Sequence, residues 1–193
     1  NIITVRQRQP LGLGHAILTS RSAVGDNSFV VMLADDLIRN SPSATRQLLE
    51  IYEQKEGSSV IAVENVPRQS LSGYGVIGGE AVTPKLWRVH QIVEKPDIDL
   101  APSTMGVVGR YVLNPSIFDC LSEIGVGTIG EFQLTDAIAL LIKNETQFVY
   151  ALQFDGARYD CGTPLGLLKA SIALSLERPE LAGDLKEWLQ KNT

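Results

Sequence analysis

Apolar and polar positions along this chain switch between a strand-like and a helix-like period. Phe29-Val30-Val31-Met32-Leu33 is an unbroken apolar run between Gly25-Asp26-Asn27-Ser28 and the acidic pair Asp35-Asp36. Such a run, bounded by turn residues, predicts a strand buried on both faces. Asn1 to Val5 reads as an earlier strand, followed by the glycine turn Gly12-Leu13-Gly14-His15 and a helix opening at Ala16-Ile17-Leu18. Ser41-Pro42 predicts a helix start with proline at its first position. Leu48, Ile51, Tyr52 and Lys55 continue that helix, Gly57 closes it, and Ser59 to Val66 is the next strand. Strand, helix, strand, helix, strand points to a parallel sheet with helices on both faces.

After Val66 the pattern changes. Gly73-Tyr74-Gly75-Val76-Ile77-Gly78-Gly79 leads to a turn, with the Gly78-Gly79 pair suited to positive φ, and Trp87 to Glu94 returns as an extended strand. Glu94-Lys95-Pro96 ends it, and the proline is expected to keep Lys95 extended. The two charges then point to opposite sides unless the strand bends there. Thr104 to Leu113 is another strand, Asn114-Pro115 caps a helix through Leu121, and Glu131 to Lys143 is a helix with Leu134, Ile138, Leu141 and Ile142 on one face. Thr146 to Phe154 is a last strand. Thr163-Pro164 begins a helix to about Leu176, and Leu181 to Lys191 adds a terminal one.

At 193 residues the chain suits one domain, 1–193, with 165–193 as a C-terminal helical segment. Apolar residues at 44% and charged residues at 20% are a globular composition rather than a disordered one. A net charge of −5 argues against general nucleic-acid affinity, which needs a basic face. No apolar run approaches the roughly 18 residues of a membrane span, and no secretory signal is read at the N-terminus. Two cysteines, Cys120 and Cys161, make no disulfide framework, so a reducing, cytoplasmic setting is expected.

Asp35 and Asp36 stand where their strand leaves the sheet, the place where open α/β sheets bind ligands. A carboxylate there, with phosphates nearby, suits Mg²⁺; the plainer reading is a turn, which this stretch alone favours. Asp160, between a strand and a helix start, is a second carboxylate placed as Asp35 is, or simply a turn or cap. Gly12 and Gly14 allow either close approach of a ligand to the backbone or tight strand–helix packing. They are not a dinucleotide fingerprint, since the third glycine and the distant acidic residue are not in place. Arg6 and Gln7 are ligand contacts or a solvated strand end, His15 is structural, and Gly75 marks a close backbone approach.

Val5-Arg6-Gln7, Gly12-Leu13-Gly14-His15-Ala16, Leu33-Ala34-Asp35-Asp36, Gly73-Tyr74-Gly75-Val76, Val93-Glu94-Lys95-Pro96, Gly109-Arg110-Tyr111, Glu131-Phe132-Gln133-Leu134-Thr135-Asp136-Ala137-Ile138 and Asp160-Cys161-Gly162 follow in that order. Together they resemble the bacterial UTP–glucose-1-phosphate uridylyltransferases over nearly the whole chain. The resemblance implies the nucleotide-diphospho-sugar transferase fold, a Rossmann-like α/β three-layer sandwich with a mixed, mostly parallel sheet. It also implies uridylyl transfer from UTP to glucose 1-phosphate, giving UDP-glucose and pyrophosphate. By position, Gln7 and Gly12 would read uracil, Asp35 would hold Mg²⁺ with Asp36 beside it, and Asp160 would be the second metal aspartate. Gly75 and Glu94 would contact the hexose, Lys95 the sugar phosphate, and Gly109 would lie along the sugar pocket.

The family carries a strand and a glycine-rich nucleotide loop ahead of these motifs. The chain is therefore expected to be N-terminally truncated and impaired in turnover. Poor stability, or a homo-oligomer covering the gap, is expected with it. Neighbouring readings are a sugar-1-phosphate nucleotidyltransferase for thymidine or another hexose, a non-catalytic sugar-nucleotide-binding module, and, least supported, a nicotinamide-dependent oxidoreductase.

Overall fold

In the computed structural model, residues 1–125, 130–144 and 147–192 are described. The chain runs through α1 (Leu13–Thr19), α2 (Arg21–Val24), β1 (Phe29–Met32), β2 (Asp36–Arg39), α3 (Ala44–Gln54) and β3 (Ser59–Asn65). A 3-10 turn, Arg68–Gly73, leads to β4 (Gly75–Thr83), β5 (Leu86–Glu94) and β6 (Met105–Leu113). There follow α4 (Ile117–Glu123), α5 (Leu134–Lys143), β7 (Val149–Gln153), β8 (Ala157–Asp160), α6 (Pro164–Leu176) and α7 (Pro179–Asn192).

Alternation along β3 fixes the layers. Ile61 and Val63 face a core shared with α1, α4 and α5 through Ile17, Phe118, Leu121, Ile138 and Leu141. Val60 and Ala62 face the opposite core, closed by Ala44 and Leu48 of α3. Successive side chains of a strand point to opposite faces, so a strand buried along Ser59–Val63 requires helices on both sides. The three-layer α/β/α arrangement is the expected one.

The main sheet has the order β1-β6-β3-β7-β5-β4, and β4 also touches β6 at Val76↔Gly106. Its pairings make β1, β3, β4 and β7 run one way and β5 and β6 the other. The sheet is therefore mixed, but its pairings are mostly antiparallel rather than parallel as expected: only β3 and β7 are bonded as parallel neighbours. β2 and β8 form a separate two-stranded ribbon.

Several local expectations are corrected. Residues 1–5 form no strand and lie exposed. β1 is an edge strand bonded to β6 alone, and its burial alternates, with Met32 61% exposed, so it is not buried on both faces. An apolar run reads the same whether one face is covered or two. Gly78 and Gly79 make no turn: they sit inside β4, at a bulge opposite Val89 and Gln91, and the reversal falls at Pro84-Lys85. Lys95 is not extended but left-handed, with φ +45. Glu131 to Gln133 precede α5 rather than opening it, and Thr146 lies outside the described residues. Thr163 caps α6 as the sequence suggests, its hydroxyl accepting from the Gly166 N–H at 3.1 Å.

The start of α3 also differs. Pro42 precedes the helix, and Ser43 is the cap, its hydroxyl accepting from the Arg46 N–H at 3.2 Å. A cap hydroxyl satisfies an N–H that the helix leaves without a partner. Ser43→Ala is expected to cost about 1 kcal/mol, read as a lower denaturation midpoint in urea with an unchanged slope.

Candidate active site

A cleft of about 390 Å³ opens where the β2–β8 ribbon meets the main sheet. One wall is the turn after β1 with the end of β8, and it carries Asp35, Asp36, Arg158 and Asp160. The other is Tyr74 and Gly75 at the start of β4, Glu94 at the end of β5, and Gln133 to Thr135 entering α5. Val107, Val108, Gly109 and Tyr111 of β6 complete the lining.

The acidic wall is assembled by backbone contacts. Ala34 and Asp35 form a turn between β1 and β2, so the turn reading is correct, and the same turn presents a carboxylate to the cleft. The Cys161 N–H donates to the Asp35 carbonyl at 2.7 Å, tying the end of the ribbon to that turn. Gly162 leaves the space between the two acids open. A Cβ there would stand 3.1 Å from Oδ1 of Asp160 and 3.1 Å from Oδ2 of Asp35. Two carboxylates facing one small gap are the donor set that Mg²⁺ takes from a protein when substrate phosphates and water fill its other positions. No group of three His, Cys, Asp or Glu side chains converges as a metal cage among the described residues.

Asp36 plays a different part. It is 6% exposed; Oδ2 accepts from the Gly109 N–H at 2.6 Å and Oδ1 from Nε of Arg158. Gly109 must be small, because a Cβ would stand 2.7 Å from both Oδ2 of Asp36 and Cβ of Leu33. Arg158 also donates to Glu64 and to the Tyr74 hydroxyl at 3.3 Å. Burial by itself would lower the pKa of this guanidinium, but its bonds to Asp36 and Tyr74 and the charges of Asp36 and Glu64 push it up instead. It stays charged. Arg110 secures the turn from behind, donating to the carbonyls of Leu33, Gly109 and Asp36.

The opposite wall rests on a bend. The left-handed Lys95 turns the chain back, its N–H donating to the Tyr74 carbonyl at 2.9 Å. Instead of pointing apart, the side chains of Glu94 and Lys95 come together, with Nζ 3.8 Å from Oε1. The Thr135 hydroxyl donates to the other Glu94 oxygen at 2.8 Å. Gly75 pairs with Glu94 across the ladder, and a Cβ on it would stand 2.6 Å from Cγ2 of Thr135. Tyr111 lies between the walls, its phenol pushed up in pKa by burial and then by the charges of Asp36 and Glu94, against the lowering effect of Arg158. It remains a neutral hydroxyl at any ordinary pH.

Asp35, Gly75, Glu94, Gly109 and Asp160 therefore share one cleft, with Lys95 beside Glu94. Gln7 and Gly12 do not line it. They bond to one another, the Gln7 amide donating to the Gly12 carbonyl at 3.1 Å and meeting Nδ1 of His15 at 2.8 Å. Gly12, at φ +95, packs on Glu131 and Phe132, which supports the tight-packing reading of that turn. Its neighbour Leu13 does reach the cleft. The residues that sequence reasoning missed are Arg158, Tyr111, Thr135 and Gly162. A signal existed for the first: two positions before Asp160 on a strand is the same face.

The sequence profile of the nucleotidyl transferase family matches residues 1–176 of this chain. The chain belongs to that family. A UTP–glucose-1-phosphate uridylyltransferase of Staphylococcus epidermidis is 44% identical to this chain over 191 residues, 99% of this chain and 65% of the relative. The chain thus spans just under two thirds of that relative's length. A solved structure of UDP-glucose pyrophosphorylase complexed with UDP-glucose is 43% identical, with a TM-score of 0.85 over 90% of this chain and 66% of that one. A UTP-bound enzyme of the same kind from Acinetobacter baumannii is 37% identical, with a TM-score of 0.88 over 100% of this chain and 66% of its own. No helix among the described residues is long and apolar enough to cross a membrane.

Proposed function

We propose that this chain carries the sugar-phosphate and cation side of uridylyl transfer from UTP to glucose 1-phosphate, giving UDP-glucose and pyrophosphate. The observation that carries the reading is one cleft holding Asp35 and Asp160 on one wall and Glu94 on the other, with Lys95 beside it. A phosphate oxygen of glucose 1-phosphate attacks the α-phosphorus of UTP, the new O–P bond forms, and the bond to the β-phosphate oxygen breaks to release pyrophosphate. The attacking oxygen is already ionised, so no general base is required. What remains is in-line positioning and charge neutralisation.

Glu94, an acceptor-only carboxylate, receives two sugar hydroxyls, and Lys95 places a compact positive charge on the sugar phosphate. Gly75 lets the sugar approach the backbone, and Gly109 holds the floor between the walls. Asp35 and Asp160 would hold Mg²⁺, which when bound offsets the charge of the phosphates. Gln7, steadied by Gly12, keeps its amide oxygen to accept from the N–H of the uracil. The free cysteines support a reducing, cytoplasmic setting. The exposed Leu165, Leu167, Leu168 and Trp188 support self-association.

Calorimetric titration of UDP-glucose into the chain, with and without Mg²⁺, tests the reading. The expected result is Mg²⁺-dependent binding that Asp35→Asn removes. A cooperatively melting chain that ignores UDP-glucose would sink it, and heat on adding NAD instead would favour an oxidoreductase.

A further inference from the structure

We infer that Arg158 is a positioning residue that withdraws Asp36 from the acidic wall, so that Asp35 and Asp160 alone are presented to a divalent cation. The inference rests on the cation role proposed above for those two. Asp36 and Asp160 are direct partners in the β2–β8 ladder, so their side chains share a face. Like charges so placed repel. With Asp35 across Gly162, three carboxylates would crowd one mouth. Arg158, two residues before Asp160 on the same strand, shares that face. Its side chain is 11% exposed, and its fork spans Asp36 on β2, Glu64 on β3 and Tyr74 ahead of β4. Asp36 has one oxygen on the guanidinium and the other on the Gly109 N–H. Both oxygens are occupied, and the guanidinium that holds Asp36 is shared with Glu64.

Charge count and ligand number decide which cation an oxygen site prefers. A third free carboxylate favours Ca²⁺, which takes more protein oxygens, over Mg²⁺, which keeps its water. On this view Arg158 sets the selectivity of the site without touching the cation.

The test measures binding of Mn²⁺, Mg²⁺ and Ca²⁺ alone, by calorimetry and by the Mn²⁺ electron-spin signal, with a circular-dichroism melt on each sample. Arg158→Met is expected to tighten Ca²⁺ about tenfold relative to Mg²⁺, by adding one carboxylate to the ligand set. Arg158→Met with Asp36→Asn is expected to return that ratio to the wild-type value. Asp36→Asn alone is expected to leave Mn²⁺ affinity within about twofold of wild type, where Asp35→Asn abolishes it. This last comparison holds the inference to account even where Arg158→Met does not fold. Equal loss of Mn²⁺ in Asp36→Asn and Asp35→Asn overturns the inference, as does an Arg158→Met chain that binds all three cations more weakly and is not rescued. A folded wild-type chain that binds no cation overturns the cation reading itself.

Discussion

Gly166→Ala is expected to lose about 3 kcal/mol of stability and to displace Asp160. A Cβ at position 166 would stand 1.7 Å from the Asp160 carbonyl oxygen and 2.8 Å from the Thr163 hydroxyl that caps α6. The first contact is with backbone, which cannot swing aside as a side-chain end can, so the start of α6 or the end of β8 must move. Overpacking of this kind typically costs about 1–3 kcal/mol, and a clash this close belongs at the upper end. In a chain of this size that lowers the melting temperature by roughly 6–12 °C. Because the moved segment carries Asp160, cation binding should fall with it. Gly183→Ala gives the opposite sign: nothing lies within 4 Å of its Cβ, it is inside α7, and alanine there should raise stability by up to about 1 kcal/mol. Parallel thermal melts decide the matter, and a Gly166→Ala chain melting with the wild type would show that the helix start is not packed on the site strand.

Lys95→Gly should separate stability from function. A left-handed lysine costs roughly 1–2 kcal/mol of backbone energy that glycine does not bear, so the variant should melt no lower than the wild type. Yet it loses the ammonium beside Glu94, and with it a charge-assisted contact of about 2 kcal/mol, roughly a 30-fold loss in UDP-glucose affinity. Lys95→Ala should lose the same affinity while keeping the backbone strain. Comparison of the two variants by melt and by titration isolates the bend from the charge. Wild-type affinity in either variant would remove Lys95 from the sugar-phosphate contact.

The same bend shows where the sequence was legible and where it was not. The helices with strong apolar faces, α3 and α5, and the doubly buried β3 were readable because tertiary packing agrees with their period. Lys95 was misread because the preference imposed by Pro96 is local, whereas the bond from its N–H to Tyr74 is made by a segment 21 positions earlier. Gly78-Gly79 looks like a turn in isolation; only the register with β5 reveals a bulge. Arg158 was passed over because its partners Asp36, Glu64 and Tyr74 lie 122, 94 and 84 positions away. The acids of the cleft and Gly75 are legible from their places at strand ends, and the resemblance adds Glu94 and Gly109, while Gly162 and the groups that hold the acids emerge only in the fold.

The ribbon of β2 and β8 is a sheet of its own, whereas Gly75 and Glu94 belong to a hairpin of the main sheet. The two walls of the cleft therefore belong to different sheets, joined through Arg158, which reaches Glu64 and Tyr74, and through the Gly109 N–H on Asp36. Substitutions in the β4–β5 hairpin beyond Gly75 and Glu94 can therefore alter the outer edge of one wall while the pairing of β2 with β8 stays as it is.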